Sequence, residues 1–214
     1  MTTPEQHRDT LLELCEAITR ISGKGLTPAT GGNFSVRISE AEFFITCSGV
    51  DKESLTPEHF LLCRVPDGGQ SIASSQRPSA ETLVHAALYS QDSSITSVFH
   101  THSVPATILS HTEADSIRLQ GYEMQKSIRG FSSHEDTLEI PLLANTQDMN
   151  SVNKVLTSSW QRFSQTPGFI LKRHGLYAWG NSIFEATRHT EGFEFLLQCE
   201  LHTAGEIPLM TREA

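Results

Sequence analysis

The chain has 214 residues, 37% apolar and 19% charged, with 25 acidic against 16 basic side chains and a net charge of −9. That size suits one well-buried domain, and the apolar share excludes a disordered chain. The acidic balance argues against a nucleic-acid backbone or an anionic membrane as main partner, but leaves room for a phosphorylated small molecule held by backbone amides.

No run approaches the roughly 20 apolar residues that span a bilayer. Residues 1–9 are polar, without the apolar core of a secretory signal. Cys15, Cys47, Cys63 and Cys199 are scattered, with no CxxC pair, which predicts reduced thiols and a cytoplasmic protein.

Thr3 and Pro4 read as the cap and first position of a helix carried by Leu11, Leu14, Cys15, Ile18 and Ile21, with Gly23 and Gly25 as its stop. Residues 33–38 and 42–46 are β-rich runs joined by a polar turn, hence a hairpin. A strand follows at 61–65, ended by Pro66-Asp67-Gly68-Gly69. Ser79 reads as the cap of a helix running to about Ser90, before a strand at 95–100. Strands at 138–143 and 169–172 flank a helix at 148–160. Ser182-Ile183-Phe184-Glu185 is a capping box opening a last helix to about His202, with Phe184, Phe193, Leu196 and Leu197 as its buried side. The tail from Glu206 to Ala214 carries no functional signal. With no linker or fixed-period repeat, residues 1–214 read as one α/β domain.

His100-Thr101-His102 ends an apolar strand, where residues i and i+2 project to the same side, so both imidazoles can reach one ion. A catalytic zinc takes three protein ligands and keeps an open position. Alone, the motif is equally a pair of hydrogen-bonded histidines at a strand end. His174, in Lys172-Arg173-His174-Gly175 at the end of another strand, completes a triad if the two strands are neighbours; alone it is a loop histidine. Glu81, in Pro78-Ser79-Ala80-Glu81, sits where a helix dipole favours negative charge, which is role enough without catalysis. Glu123, in Gln120-Gly121-Tyr122-Glu123-Met124, is otherwise a solvated carboxylate. Thr30-Gly31-Gly32-Asn33-Phe34-Ser35 and Thr46-Cys47-Ser48-Gly49-Val50-Asp51-Lys52 suit phosphate through close backbone approach and hydroxyl, amide and lysine donors, or are ordinary turns. His85 reads as a packed or hydrogen-bonded histidine. His111, His134, His189 and His202 lack partners at ligand spacing, and nothing activates Cys47.

In order, Gly32-Asn33-Phe34-Ser35, Ser48-Gly49, Pro78-Ser79-Ala80-Glu81, His100-Thr101-His102 and Arg173-His174-Gly175 resemble the class II aldolase/adducin family. The resemblance implies a central, mainly antiparallel sheet flanked by helices, and a homotetramer with sites at subunit interfaces. It implies one zinc ion per subunit on His100, His102 and His174, with substrate phosphate on Asn33, Ser48, Gly49 and Ser79, and Lys52 as a further contact. Glu123 matches an acid/base position of the family's dehydratase branch, and Glu81 a glutamate of its aldolases that acts as base or metal contact. The runs 120–126, 140–146 and 173–180 favour the dehydratase branch, implying a zinc hydro-lyase of methionine salvage that removes water from a methylthio-substituted pentulose phosphate. The same metal and phosphate loops serve a sugar-phosphate aldolase or a pentulose-phosphate 4-epimerase. A non-catalytic interaction domain has no need of a complete triad, and a closed structural zinc lacks a fourth His or Cys.

Overall fold

The centre of the fold is a pair of strands with no solvent-facing side, Ser97–Thr101 (β4) and Gly175–Gly180 (β8), every residue of which is buried. They pair antiparallel with His100 opposite Tyr177 and Thr101 opposite Leu176. The computed structural model describes residues 2–71 and 76–206; the tail beyond Glu206 lies outside them. Six further strands complete the sheet: Asn33–Arg37 (β1), Glu42–Thr46 (β2), Phe60–Arg64 (β3), Ser116–Leu119 (β5), Leu138–Leu143 (β6) and Gly168–Leu171 (β7). The strand order is β3-β2-β1-β4-β8-β7-β6-β5. All neighbours are antiparallel except β6 and β7, so the expected mainly antiparallel α/β sheet is present.

Helices cover both faces. Arg8–Ser22 (α1) buries Leu11, Leu14, Ile18 and Ile21 against Phe34, Phe44 and Phe99. Thr82–Gln91 (α2), Met149–Ser158 (α4) and Trp160–Phe163 (α5) cover the opposite face, packing Val84, Leu88, Val152, Leu156 and Phe163 against Val98, Phe169, Tyr177 and Trp179. Ile183–Glu206 (α6) sets Phe193, Leu196 and Leu197 beside Ala106 of Val104–Leu109 (α3) and against Leu176 and Ala178. Because side chains alternate along a strand, Val98 and Tyr177 join the α2 layer while Phe99 and Leu176 join the α1 and α6 layer.

Four local expectations change. The helix expected to begin at Ser79 begins at Thr82 with Glu81 at its cap position. Residues 79–81 form a turn instead, tied down by a bridge between Cys47 and Pro78 and by the Thr82 N–H donating to the Ser79 carbonyl. Phe184 is 71% exposed rather than buried. It stands nine residues before Phe193, and at about 100° per residue nine residues place it on the opposite side of the helix. In the capping box, the Glu185 N–H donates to Ser182 Oγ as expected, but the Glu185 carboxylate accepts from Asn181 N–H, one residue earlier than the motif predicts. The helix expected at 148–160 is interrupted at Ser159. The sequence reading also lacked α3, β5 and β8.

β8 approaches β4 so closely that Gly175 has no room for a side chain. A Cβ there would lie 1.9 Å from the Thr101 carbonyl oxygen and 3.0 Å from the His100 ring. Gly175→Ala is therefore expected to cost about 3 kcal/mol through forced separation of the strands. By calorimetry the Tm should fall by roughly 6–12 °C; an unchanged Tm would mean the pair opens without penalty.

Candidate metal centre

β4 delivers the first two histidines. Its apolar run Val98-Phe99 buries the strand, its alternation sends His100 and His102 to one side, and His102 N–H is anchored on the Leu26 carbonyl at 2.9 Å. His174 comes from the turn between β7 and β8. The strands carrying His100 and His174 are not direct neighbours as expected, because β8 lies between β4 and β7. The turn nonetheless returns His174 beside the end of β4, since Leu176, two residues on, pairs with Thr101. Arg173 just before it holds a left-handed φ of 57°, with its N–H donating to Ser110 Oγ at 2.8 Å.

The three Nε2 atoms form a triangle with edges of 2.9, 3.1 and 3.4 Å. Glu81 closes the group, its Oε1 3.1 Å from His174 Nε2 and its Oε2 3.8 Å from His100 Nε2. All four ligand atoms lie within 4.8 Å of one another. His100 Nδ1–H donates to the Leu176 carbonyl at 2.9 Å, which leaves its Nε2 lone pair facing the group. Its ring stacks on Tyr177 at 4.0 Å, and Tyr177 stacks on Phe169 at 4.9 Å.

Burial, reinforced by the neighbouring imidazoles, holds His100 and His102 below the ordinary histidine range, so both are neutral. Burial pushes the Glu81 carboxyl up. Hydrogen bonds from His174 and from the Asn33 amide outweigh it, so the carboxyl is held below its ordinary range and stays ionised. His174 Nδ1 is buried without a hydrogen-bond partner, and the Nε2 atoms of all three histidines converge with the Glu81 carboxylate, a nitrogen and oxygen donor set of the kind zinc takes. The observed edges match the nitrogen spacing of about 3.3 Å that tetrahedral coordination at ordinary metal–nitrogen distances requires. The donor set therefore fits a divalent metal ion.

The two loops proposed for phosphate adjoin this cluster. Asn33 is buried, with Nδ2 donating to Glu81 Oε2 at 2.5 Å and to Ser79 Oγ at 3.4 Å. The Ser48 N–H donates to the Arg77 carbonyl, and Ser48 and Gly49 stand exposed, Gly49 with φ of 74°. Lys52 is buried and ties the loops together, its ammonium donating to the Thr30 and Val50 carbonyls at 3.1 and 2.8 Å. A Cβ on Gly31 would come within 2.7 Å of His102 Nδ1, so the glycine loop and the histidines occupy one space.

Glu123 does not join the cluster. It opens a 3-10 turn over Glu123–Ser127, is exposed, and pairs with Lys126 Nζ at 2.6 Å. The remaining histidines behave as read. His85 is buried in hydrogen bonds to Asn33 and Ser35. His189 is buried between the Trp179 carbonyl and the Arg129 N–H. Burial raises the Cys47 thiol, which leaves it inert. The sequence reading missed Ser35, Tyr89 and Tyr177 around the site. Ser35 is signalled only by its place two residues after Asn33 on β1 and Tyr89 by its place one turn after His85 on α2, while Tyr177 sits in a strand buried throughout and has no periodic signal.

The Class II Aldolase and Adducin N-terminal domain family matches residues 12–201. A methylthioribulose-1-phosphate dehydratase of Yersinia enterocolitica is 47% identical over 85% of this chain and 86% of its own length. That of Pectobacterium carotovorum is 45% identical over 93% and 95%. The fold is also that of an L-fuculose-1-phosphate aldolase from Thermus thermophilus, with a TM-score of 0.72 and 24% identity over 91% of this chain and 94% of the other. A sugar-phosphate aldolase from Thermotoga maritima superposes with a TM-score of 0.66 at 16% identity, covering 98% and 99%.

Replacing His100 or His102 by Ala should abolish stoichiometric divalent metal in protein analysed by inductively coupled plasma mass spectrometry. Metal content equal to wild type would remove these histidines from the ligand set.

Proposed function

Because this chain belongs to the class II aldolase and adducin family, we propose that it is a zinc-dependent hydro-lyase of methionine salvage. It converts 5-methylthioribulose 1-phosphate to 5-methylthio-2,3-dioxopentyl 1-phosphate and water. The observation that carries this reading is the identity of 45–48% to methylthioribulose-1-phosphate dehydratases over most of the chain, joined to a three-histidine cluster beside phosphate-sized loops. We take residues 1–214 as one functional unit and the assembly as a homotetramer. Its four free cysteines suit the reducing cytoplasm.

His100, His102 and His174 hold the ion. Bound there, zinc supplies Lewis-acid polarisation of the substrate C2 ketone, which acidifies the neighbouring C3 hydrogen. Asn33, Ser48, Gly49 and Ser79 receive the phosphate, with the Lys52 ammonium adding positive charge beneath the loop. Glu123 removes the C3 proton. The C3–H electrons form the C3–C4 double bond as the C4–O bond breaks, and Glu123 returns the proton to the departing hydroxide as water. The resulting enol tautomerises to the 2,3-diketone. Glu81 stays ionised beside the three histidines, where its carboxylate would offer a bound ion a further oxygen donor.

Glu123 pairs with Lys126 in its own chain, which suits a carboxylate that serves the cluster of a neighbouring subunit. This follows the family expectation of sites at subunit interfaces. Two inactive variants, Glu123→Gln and His174→Ala, should then recover turnover when co-assembled. No recovery would assign Glu123 to the cluster of its own chain.

Purified, metal-quantified protein should release water from 5-methylthioribulose 1-phosphate in a zinc-dependent way, followed by mass spectrometry. Glu123→Gln should keep its metal and lose about 100-fold or more in kcat. Carbon–carbon cleavage instead would make the chain a sugar-phosphate aldolase, and epimerised substrate a 4-epimerase.

A further inference from the structure

Behind Glu81 runs a continuous chain of buried polar groups whose polarity is fixed from one end. Asn33 turns its NH2 group toward Glu81 Oε2, 2.5 Å away, and toward Ser79 Oγ at 3.4 Å. The Asn33 Oδ1 atom then faces inward and requires a donor, which is His85 Nε2 at 2.5 Å. With the proton on Nε2, His85 Nδ1 accepts, and the donor is Ser35 Oγ at 2.6 Å. Ser35 Oγ in turn accepts from the Tyr89 hydroxyl at 2.7 Å. Ser35, His85 and Tyr89 are buried at 0%, 0% and 2% exposure, so water does not compete for any of these bonds.

We propose that His85 is a positioning residue for the metal centre: it dictates which face of the Asn33 amide meets Glu81. A flipped amide would set a carbonyl oxygen against the carboxylate and drive it away from the histidines. Asn33 would also present an acceptor where the phosphate loop needs a donor. Burial drives His85 down to about 3, which keeps the ring neutral with a single N–H to direct. Ser35 is placed to support this tautomer, donating its hydroxyl hydrogen to Nδ1 while accepting from Tyr89. Two turns of α2 thus connect a phenol in the core to the carboxylate at the cluster.

The catalytic arm of this inference rests on the dehydratase reading; the metal arm does not. His85→Leu removes the donor to Asn33 at similar volume, whereas His85→Gln can present its side-chain NH2 at the same place. Apo protein is titrated with Zn2+ against a chromophoric chelator, and the visible spectrum of the Co2+-loaded protein reports the ligand geometry. His85→Leu should weaken zinc binding by about 10–100-fold and alter the cobalt spectrum, and His85→Gln should recover most of the affinity. In turnover, His85→Leu should lower kcat by about tenfold or more with a smaller change in KM. Zinc affinity and spectrum equal to wild type in His85→Leu would overturn the proposal. Equal loss in both variants would also overturn it, since that marks a packing role. Should His85→Leu fail to fold, Ser35→Ala frees the tautomer while leaving the ring in place. It should weaken zinc binding by several-fold, and an unchanged affinity would overturn the proposal. If wild-type protein does not dehydrate the pentulose phosphate, the functional reading falls while the zinc titration still decides the role of His85.

Discussion

The site depends on an arrangement that side-chain preference alone would not produce: three imidazole nitrogens held 2.9–3.4 Å apart in a largely buried space. Neutral, they turn lone pairs on one another; protonated, they repel. What enforces the arrangement is the β4–β8 ladder. It sets Thr101 opposite Leu176 and thereby brings the turn that carries His174 level with His102. The same ladder supplies the Leu176 carbonyl that fixes the His100 tautomer and the Tyr177 ring against which His100 lies flat. Gly175 and Gly31 are needed because backbone or ring atoms occupy the place of a side chain at both. The donors are brought together by the most deeply buried part of the sheet, so the cluster is preorganised for a cation.

Much of this was legible in the sequence, and the failures have physical causes. The His-x-His pair follows from the two-residue period of a strand, and the hairpin of β1 and β2 from two short β-rich runs. His174 was identifiable as a partner for that pair, but the strand before it does not pair directly with β4, since β8 lies between them. β8 is buried on both faces, so Gly175-Leu176-Tyr177-Ala178-Trp179-Gly180 has no alternation by which to announce itself as a strand. The start of α2 was misread because Ser79 is a good cap in isolation. The Cys47–Pro78 bridge, a contact across 31 positions of sequence, holds that segment in a turn and moves the helix start to Glu81. Phe184 was misassigned by hydrophobicity when helical phase alone would have set it outside.

That displaced helix start also decides the character of Glu81. Within the helix its carboxylate would have stabilised the first turn. At the cap position it projects instead toward His174 and His100, with the Asn33 amide behind it. A carboxylate surrounded by donors stays charged despite burial, and charge there complements a cation held by neutral imidazoles. Tertiary context thus converts a residue with a satisfactory local explanation into a member of the metal group.

Glu123 marks the opposite arrangement. The histidine cluster and the adjoining glycine loop rest on buried strands and tied turns, whereas this carboxylate stands exposed on a short 3-10 turn. Rigid placement matters most for groups that must hold an ion and an anion at fixed separation. In the proposed reading Glu123 transfers a proton and needs its final geometry only once substrate is in place. In that reading, a frame that fixes metal and phosphate while leaving the acid/base to a surface segment would let one fold serve different reactions on related sugar phosphates. On the same reading, exchanging the segment would alter the reaction without disturbing the ladder that holds the histidines.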